Sequence, residues 1–286
     1  MQTQTTLKPR SDVPRRALKI ALRILGIAAA IIVIPIIFGM EWERFKPLFT
    51  VVTLRFFLIG AVATIAVSLA AILLSLPLAT LLALGRLAHR PWLRYPITAF
   101  IEVLRSLPLL LLIYYINLRF PGLDVLNDIR LGTPDGFLNI VVTTILSQEG
   151  MAVVVALTLY TAAVNAELLR SGILSLDSGQ GEAARSLGLG YWQTMRHIVL
   201  PQAYRRILAP LIAQFTILVK DTSLGSIIGF IELLRRARII FQRDSNPLEA
   251  LYLAALIYFV INYTLGLSAK LVRQRGPSVD IQPIDA

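Results

Sequence analysis

Six ionisable residues interrupt stretches that are otherwise apolar: Glu102 and Arg105, Glu167 and Arg170, and Lys220 and Asp221. The first two pairs are spaced three apart, which puts each pair on one face of a helix. Lys220 and Asp221 are adjacent, so they reach different neighbours. An ionisable side chain inside a membrane span costs about 2.5 to 3.5 kcal/mol on insertion scales and needs a partner or water. Three acids and three bases balance, so the expectation is pairing between helices around a polar interior. Glu102, Arg105, Glu167, Lys220 and Asp221, with the hydroxyls of Thr222 and Ser223, are the candidates for lining a path through such an interior. Two plainer roles compete. The pairs can staple helices together while Arg105 and Arg170 snorkel to a headgroup region. The Thr222 and Ser223 hydroxyls can bond their own helix backbone.

Covalent, metal and nucleotide chemistry find no residues here. There is no cysteine, which excludes disulfides and thiolate metal sites. His89 and His197 are far apart, flanked by arginine, and lack HExxH spacing, so they read as surface histidines rather than metal ligands. No Gly-Lys pair occurs, so the chain has no Walker A loop to cradle phosphates. No nucleophile–base set stands out. The chain is expected to be neither an enzyme in itself nor the holder of a cofactor.

The elements that position these charges are membrane spans. Hydrophobic residues make up 56% of the chain and charged residues 16%, with mean hydropathy +0.70; soluble domains carry about 25% charged residues. A spanning helix needs about 20 apolar residues. Six segments approach that: 24–40, 56–85, 95–118, 150–172, 207–231 and 250–269. The expected fold is all-α, a polytopic transmembrane helical bundle of six spans. Segment 24–40 follows basic residues in the order of a signal peptide, but no small-x-small cleavage site precedes Glu41, so a retained anchor is expected. Segment 56–85 is too short for two spans and reads as one long span, bent near Pro77. The formal net charge is +11. Because the basic residues punctuate apolar runs, lipid headgroups rather than nucleic acid are the expected partner. Counting the loops alternately, 17 Lys and Arg fall on the side of both termini and 9 on the other. Positive-inside bias therefore puts both ends in the cytoplasm. Arg235, Arg236, Arg238 and Arg243 sit on the wrong side for this rule, and a short amphipathic helix at the interface is expected to hold them. The stretch 121–139 reads as an ordered external loop.

The longest cytoplasmic loop, about 171–203, departs from a simple connection. Ser178 can cap a helix start, Glu182 and the small pair Ala183-Ala184 fill its first turns, and Gly188 can end it. A two- to three-turn helix with a small-residue face suits a groove on another protein. The bland alternative is a connecting loop.

Here the chain resembles a known family. Glu182-Ala183-Ala184, then Gly188, then Ile198 and Leu200-Pro201 is similar in letters and spacing to the signature loop of ABC-importer permeases. The segments Ala166 to Ile173, Glu102 to Leu109 and Lys220 to Leu224 resemble the polar-amino-acid branch, the histidine, glutamine and glutamate uptake type. The resemblance covers about 54–272. It divides the chain into an N-terminal segment, residues 1–53, a permease core, 54–272, and a tail, 273–286. Many relatives have Gly-Thr where this chain has Ser106-Leu107. The branch commonly has five spans, which makes 24–40 an extra helix.

The resemblance implies a coupling helix that seats in a cleft of a cytoplasmic ATP-binding subunit, with Glu182, Ala183, Ala184, Gly188, Leu200 and Pro201 carrying the coupling. It implies that ATP is bound by that partner, that two permease chains form the pathway, and that an extracytoplasmic solute-binding protein delivers the substrate. The intramembrane charges alone also suit an ion-coupled secondary carrier, although no inverted repeat is evident. A non-transporting scaffold and an ABC permease for another small polar solute are also compatible with these residues.

Overall fold

The computed structural model describes residues 22, 25–27, 29, 31–119 and 136–275. Among them no strand occurs. The axis of the bundle is α1, Val51–Arg86, a single helix that runs unbroken through Pro77. Its 36 residues correspond to roughly 54 Å at 1.5 Å per residue. Thr50 caps it, its hydroxyl oxygen accepting from the Thr53 amide.

The expected third span is not one helix. It is α2, Pro91–Ser106, and α3, Leu109–Arg119, bent by 103° at Leu107-Pro108. The cause is local. Pro108 has no amide proton to continue the helix and forces the residue before it out of the helical region, and Leu107 lies at φ −74°, ψ 134°. The stretch 121–139 lies mostly outside the described residues, but its end is helical. A short apolar helix, α4 (Phe137–Leu146), leads through the cap Ser147 into α5, Gln148–Leu174. After the connecting segment come α7, Leu200–Asp221, a 3-10 stretch Thr222–Ile228, α8, Leu233–Asp244, and α9, Pro247–Arg275; the intervening α6 is described below. Four described helices are long and apolar enough to cross a membrane, and six crossings result if each bent pair counts as one. The first expected span, 24–40, lies partly outside the described residues; 31–37 of it are helical.

The α1–α5 contact is the most extensive in the bundle. Small residues allow it: Ala71, Ala79 and Ala83 on α1, and Ala156, Ala162, Ala163 and Ala166 on α5, are all essentially buried. Three apolar clusters follow one another along α1. The first joins Ala79, Leu82 and Ala83 to α2, α5 and α7. The second joins Val67 and Ala71 to α3 and α5. The third joins Phe57 to α8 and α9.

The arginine-rich segment 232–249 is helical as expected, but α8 does more than lie at an interface. Leu233, Arg236, Ala237 and Ile240, one stripe at helical spacing, are buried. Gly60 lets α8 approach: a Cβ there would come within 3.0 Å of Leu233 Cα and 2.7 Å of Arg236 Cδ. Arg236 lies over the Phe56 ring at 4.3 Å, a cation–π contact. Glu232, fully buried, caps α8 by accepting from the Leu234 and Arg235 amides, each at 2.8 Å. It also accepts from the Tyr258 hydroxyl of α9 at 2.5 Å and from Thr64 of α1 at 3.5 Å. One carboxylate thus ties three helices.

Glu232→Ala leaves two amides and a buried hydroxyl without an acceptor, which is expected to cost about 2 to 4 kcal/mol. The check is the Tm of the detergent-purified protein: a clear fall is predicted, and an unchanged Tm contradicts the bracket role.

Candidate functional site

The segment between α5 and α7 forms the helix anticipated from the sequence. It is α6, Ser178–Ser186. Its cap is Asp177 rather than Ser178: Asp177 is extended at φ −61°, ψ 128° and its carboxylate accepts from the Gly179 amide at 2.9 Å, while Ser178 is already the first helical residue. The C-terminus closes as expected at Gly188. Leu189 N–H donates to Ala184 O at 3.1 Å and Gly188 N–H to Arg185 O at 2.9 Å, the paired bonds of a Schellman turn. Gly188 sits at φ +80°, a conformation that costs other L-residues about 1 to 2 kcal/mol. A Cβ there would meet nothing within 4 Å, so backbone conformation and not space calls for glycine.

The small pair divides its labour. Ala184 is 1% exposed, on the inner side of α6, which packs on the turns 191–199 that follow it, whereas Ala183 and Glu182 are exposed. Further ties fix the segment. Gln202 Nε2 donates to Gln180 Oε1 at 3.4 Å, and Arg206 bonds the Ser175 carbonyl and, at 3.2 Å, its hydroxyl. Beyond α6, a turn Tyr191–Thr194 widens into a π-turn, Met195–Val199, and only then continues as α7. Pro201, in the first turn of α7, explains the widening: its ring lacks an N–H and would clash with the carbonyl four residues back. Leu200 packs against the first apolar cluster. The result is a helix whose outer face presents Glu182, Ala183 and Arg185, flanked by exposed Leu187 and Trp192.

The six intramembrane charges do not meet around one interior. They fall in two separate groups, one at the C-terminal end of α1 and one level with Thr64. At the α6 end, Arg86, the last residue of α1, donates to Glu167 of α5 at 2.6 Å and to Glu102 of α2 at 3.0 Å. Arg170 donates to the same Glu167 at 2.6 Å, and Arg105 adds its field. Lys220 and Asp221 end α7 and Thr222 and Ser223 follow it, where Thr222 neighbours the Glu232–Tyr258–Thr64 group. Thr64 and Arg86 are 22 residues apart, roughly 33 Å of helix. Lys220 is exposed and Asp221 half-buried. The Thr222 and Ser223 hydroxyls donate to the Val219 and Lys220 carbonyls at 2.9 and 2.7 Å, the self-bonding that competes with a path role.

Between the two groups lies a polar seam the charge pattern does not reveal. Ser75 of α1 accepts from Asn165 Nδ2 of α5 at 3.3 Å, with both residues buried. One turn away on α5, Thr161 is also buried. Arg86 is equally hidden in the sequence: it follows a long apolar run, but nothing there names Glu102 and Glu167 as its partners.

Residues 75–275 match the family described as the binding-protein-dependent transport system inner membrane component. The chain belongs to this family. The permease is 36% identical over 219 residues, 76% of this chain and 91% of the other, to the probable glutamine ABC transporter permease protein GlnP of Bacillus subtilis (strain 168). It is 29% identical over 245 residues, covering 83% of this chain and 99% of the other, to the glutamate/aspartate import permease protein GltK of Escherichia coli O157:H7. Among solved structures it is similar to an amino acid ABC transporter with histidines, at TM-score 0.62 and 30% identity over 77% of this chain and 94% of the other. The MetNI methionine ABC transporter shares the fold at TM-score 0.59 and 19% identity, over 80% of this chain and 98% of the other.

Gly188→Ala adds no clash but strains the turn. Amide exchange at Leu189 is expected to speed up by roughly 5- to 30-fold, the factor corresponding to 1 to 2 kcal/mol. Unchanged exchange would show that the turn does not need glycine.

Proposed function

We infer that this permease carries a polar amino acid into the cell and is driven by a cytoplasmic ATP-binding subunit docked on α6. The observation that carries this reading is the outward face of α6: it is exposed and lies inside the family match. Glu182, Ala183, Ala184, Gly188, Leu200 and Pro201 are its coupling residues, the first two by contact and the others by holding the segment in place. The nucleotide belongs to the partner. The working unit consists of two permease chains, identical or paralogous, two ATP-binding subunits and an extracytoplasmic solute-binding protein. Both termini lie in the cytoplasm, as the bias of Lys and Arg supports.

ATP binding closes the ATP-binding subunits and shifts both α6 helices, which biases a two-state bundle from inward- to outward-facing. The charged groups serve the two mouths of the route. Glu102, Arg105 and Glu167 line the cytoplasmic mouth, and Lys220, Asp221, Thr222 and Ser223 the outer one. Charges of both signs at each mouth suit a zwitterion. The relatives named for glutamine and for glutamate/aspartate support an amino acid as the solute.

The test is reconstitution of the complete complex in proteoliposomes with radiolabelled glutamine, glutamate and histidine. ATP-dependent uptake of at least one is expected, insensitive to ionophores. Glu182→Lys is expected to abolish substrate-stimulated ATP hydrolysis at normal membrane levels. Uptake that collapses with an ionophore and needs no ATP would contradict the reading.

A further inference from the structure

Glu167 is held by two arginines of different kinds. Arg170 lies on its own helix, at i+3, and pins its orientation. Arg86 lies on α1 and uses its second nitrogen for Glu102 on α2. One guanidinium therefore joins three helices at the end of the bundle that carries α6. The two arms differ. The Glu167 arm is 2.6 Å long, between side chains 19% and 26% exposed. The Glu102 arm is 3.0 Å long and its carboxylate is 50% exposed. A half-solvated pair contributes only about 0 to 1 kcal/mol, so the α2 arm is the weaker of the two links.

The route into this joint is short. Only residues 175–177 separate the last turn of α5 from α6. A displacement of α6 thus moves the end of α5 that holds Glu167 and Arg170. On the far side, α2 ends at the Leu107-Pro108 bend, beyond which α3 packs Ile113 and Ile116 against the N-terminal half of α5. A bent pair swings as a lever if its near arm is gripped by a polar contact and its far arm by an apolar one.

Resting on the coupling role assigned to α6, we propose that Arg86 is a positioning residue of the coupling machinery, passing movement of α5 to α2 through its bridge from Glu167 to Glu102. Its task needs the planar fork of arginine. A lysine retains the charge but presents a single ammonium, which cannot hold two carboxylates in one fixed plane.

The experiment compares wild-type, Arg86→Lys and Glu102→Gln permeases in the complete proteoliposome complex, reading molecules transported per ATP hydrolysed together with complex yield and the KM for uptake. Both variants are expected to assemble at wild-type yield and to transport about fivefold fewer molecules per ATP, the change that corresponds to losing a link of about 1 kcal/mol. A stapling role would lower yield and leave the ratio intact. A role in attracting solute would raise KM and leave the saturated ratio intact. Either result, or an unchanged ratio, overturns the proposal. If the wild-type complex itself shows no ATP-driven uptake, the functional reading fails instead, and the two failures are distinguishable.

Discussion

Close approach of α1 and α5 is the constraint on which the rest of the structure depends. Buried alanines on both helices keep the interface thin, and in a membrane such close packing replaces the hydrophobic drive available in water. Everything else is set against this pair. The bent α2–α3 segment wraps its flank, with α2 against the α6 end and α3 against the middle. At the other end α8 fits against Gly60 and is fastened by Glu232. Only residues 175–177 separate α5 from α6, so α6 follows directly on one partner of this contact.

Polar groups in this framework are placed by what can satisfy them. Glu102 and Glu167 share one arginine and Glu167 has a second. Glu232 instead sits at a helix N-terminus, where two amides and two hydroxyls take its lone pairs. These are two solutions to the same cost, that of a carboxylate out of bulk water. The first solution uses charges on separate helices, so it can respond when those helices move. The second is anchored by two fixed backbone donors and is suited to holding a shape.

How much of this is legible in the sequence varies with the range of the interaction. The α6 helix, its end at Gly188 and the long span α1 follow from local composition and turn chemistry, and they are readable. The cap falls one residue earlier than expected because Asp177 and Ser178 are both good caps and only the backbone decides between them. The span 95–118 looks continuous because hydropathy averages across Leu107-Pro108, although the proline carries the signal of a break. The charge pattern suggests mutual pairing, yet the key partner, Arg86, is 16 residues from Glu102 and 81 from Glu167. No periodicity reports contacts at that separation. The arginines of α8 are expected at an interface; that Arg236 turns inward over Phe56 depends on Gly60 leaving room, which is again a long-range fact.

The proposed coupling requires α6 to be the surface that meets the ATP-binding subunit, and adjacent residues offer a direct test. The chain has no native cysteine, so single cysteines can be placed at Ala183, which is exposed, and at Ala184, which is buried. In membranes containing the complete complex, Ala183→Cys is predicted to cross-link to a cysteine in the cleft of the ATP-binding subunit, with a yield that changes when ATP is added. Ala184→Cys is predicted to give no such product. Failure of Ala183→Cys to cross-link in an assembled complex, or equal cross-linking from both positions, would contradict the account.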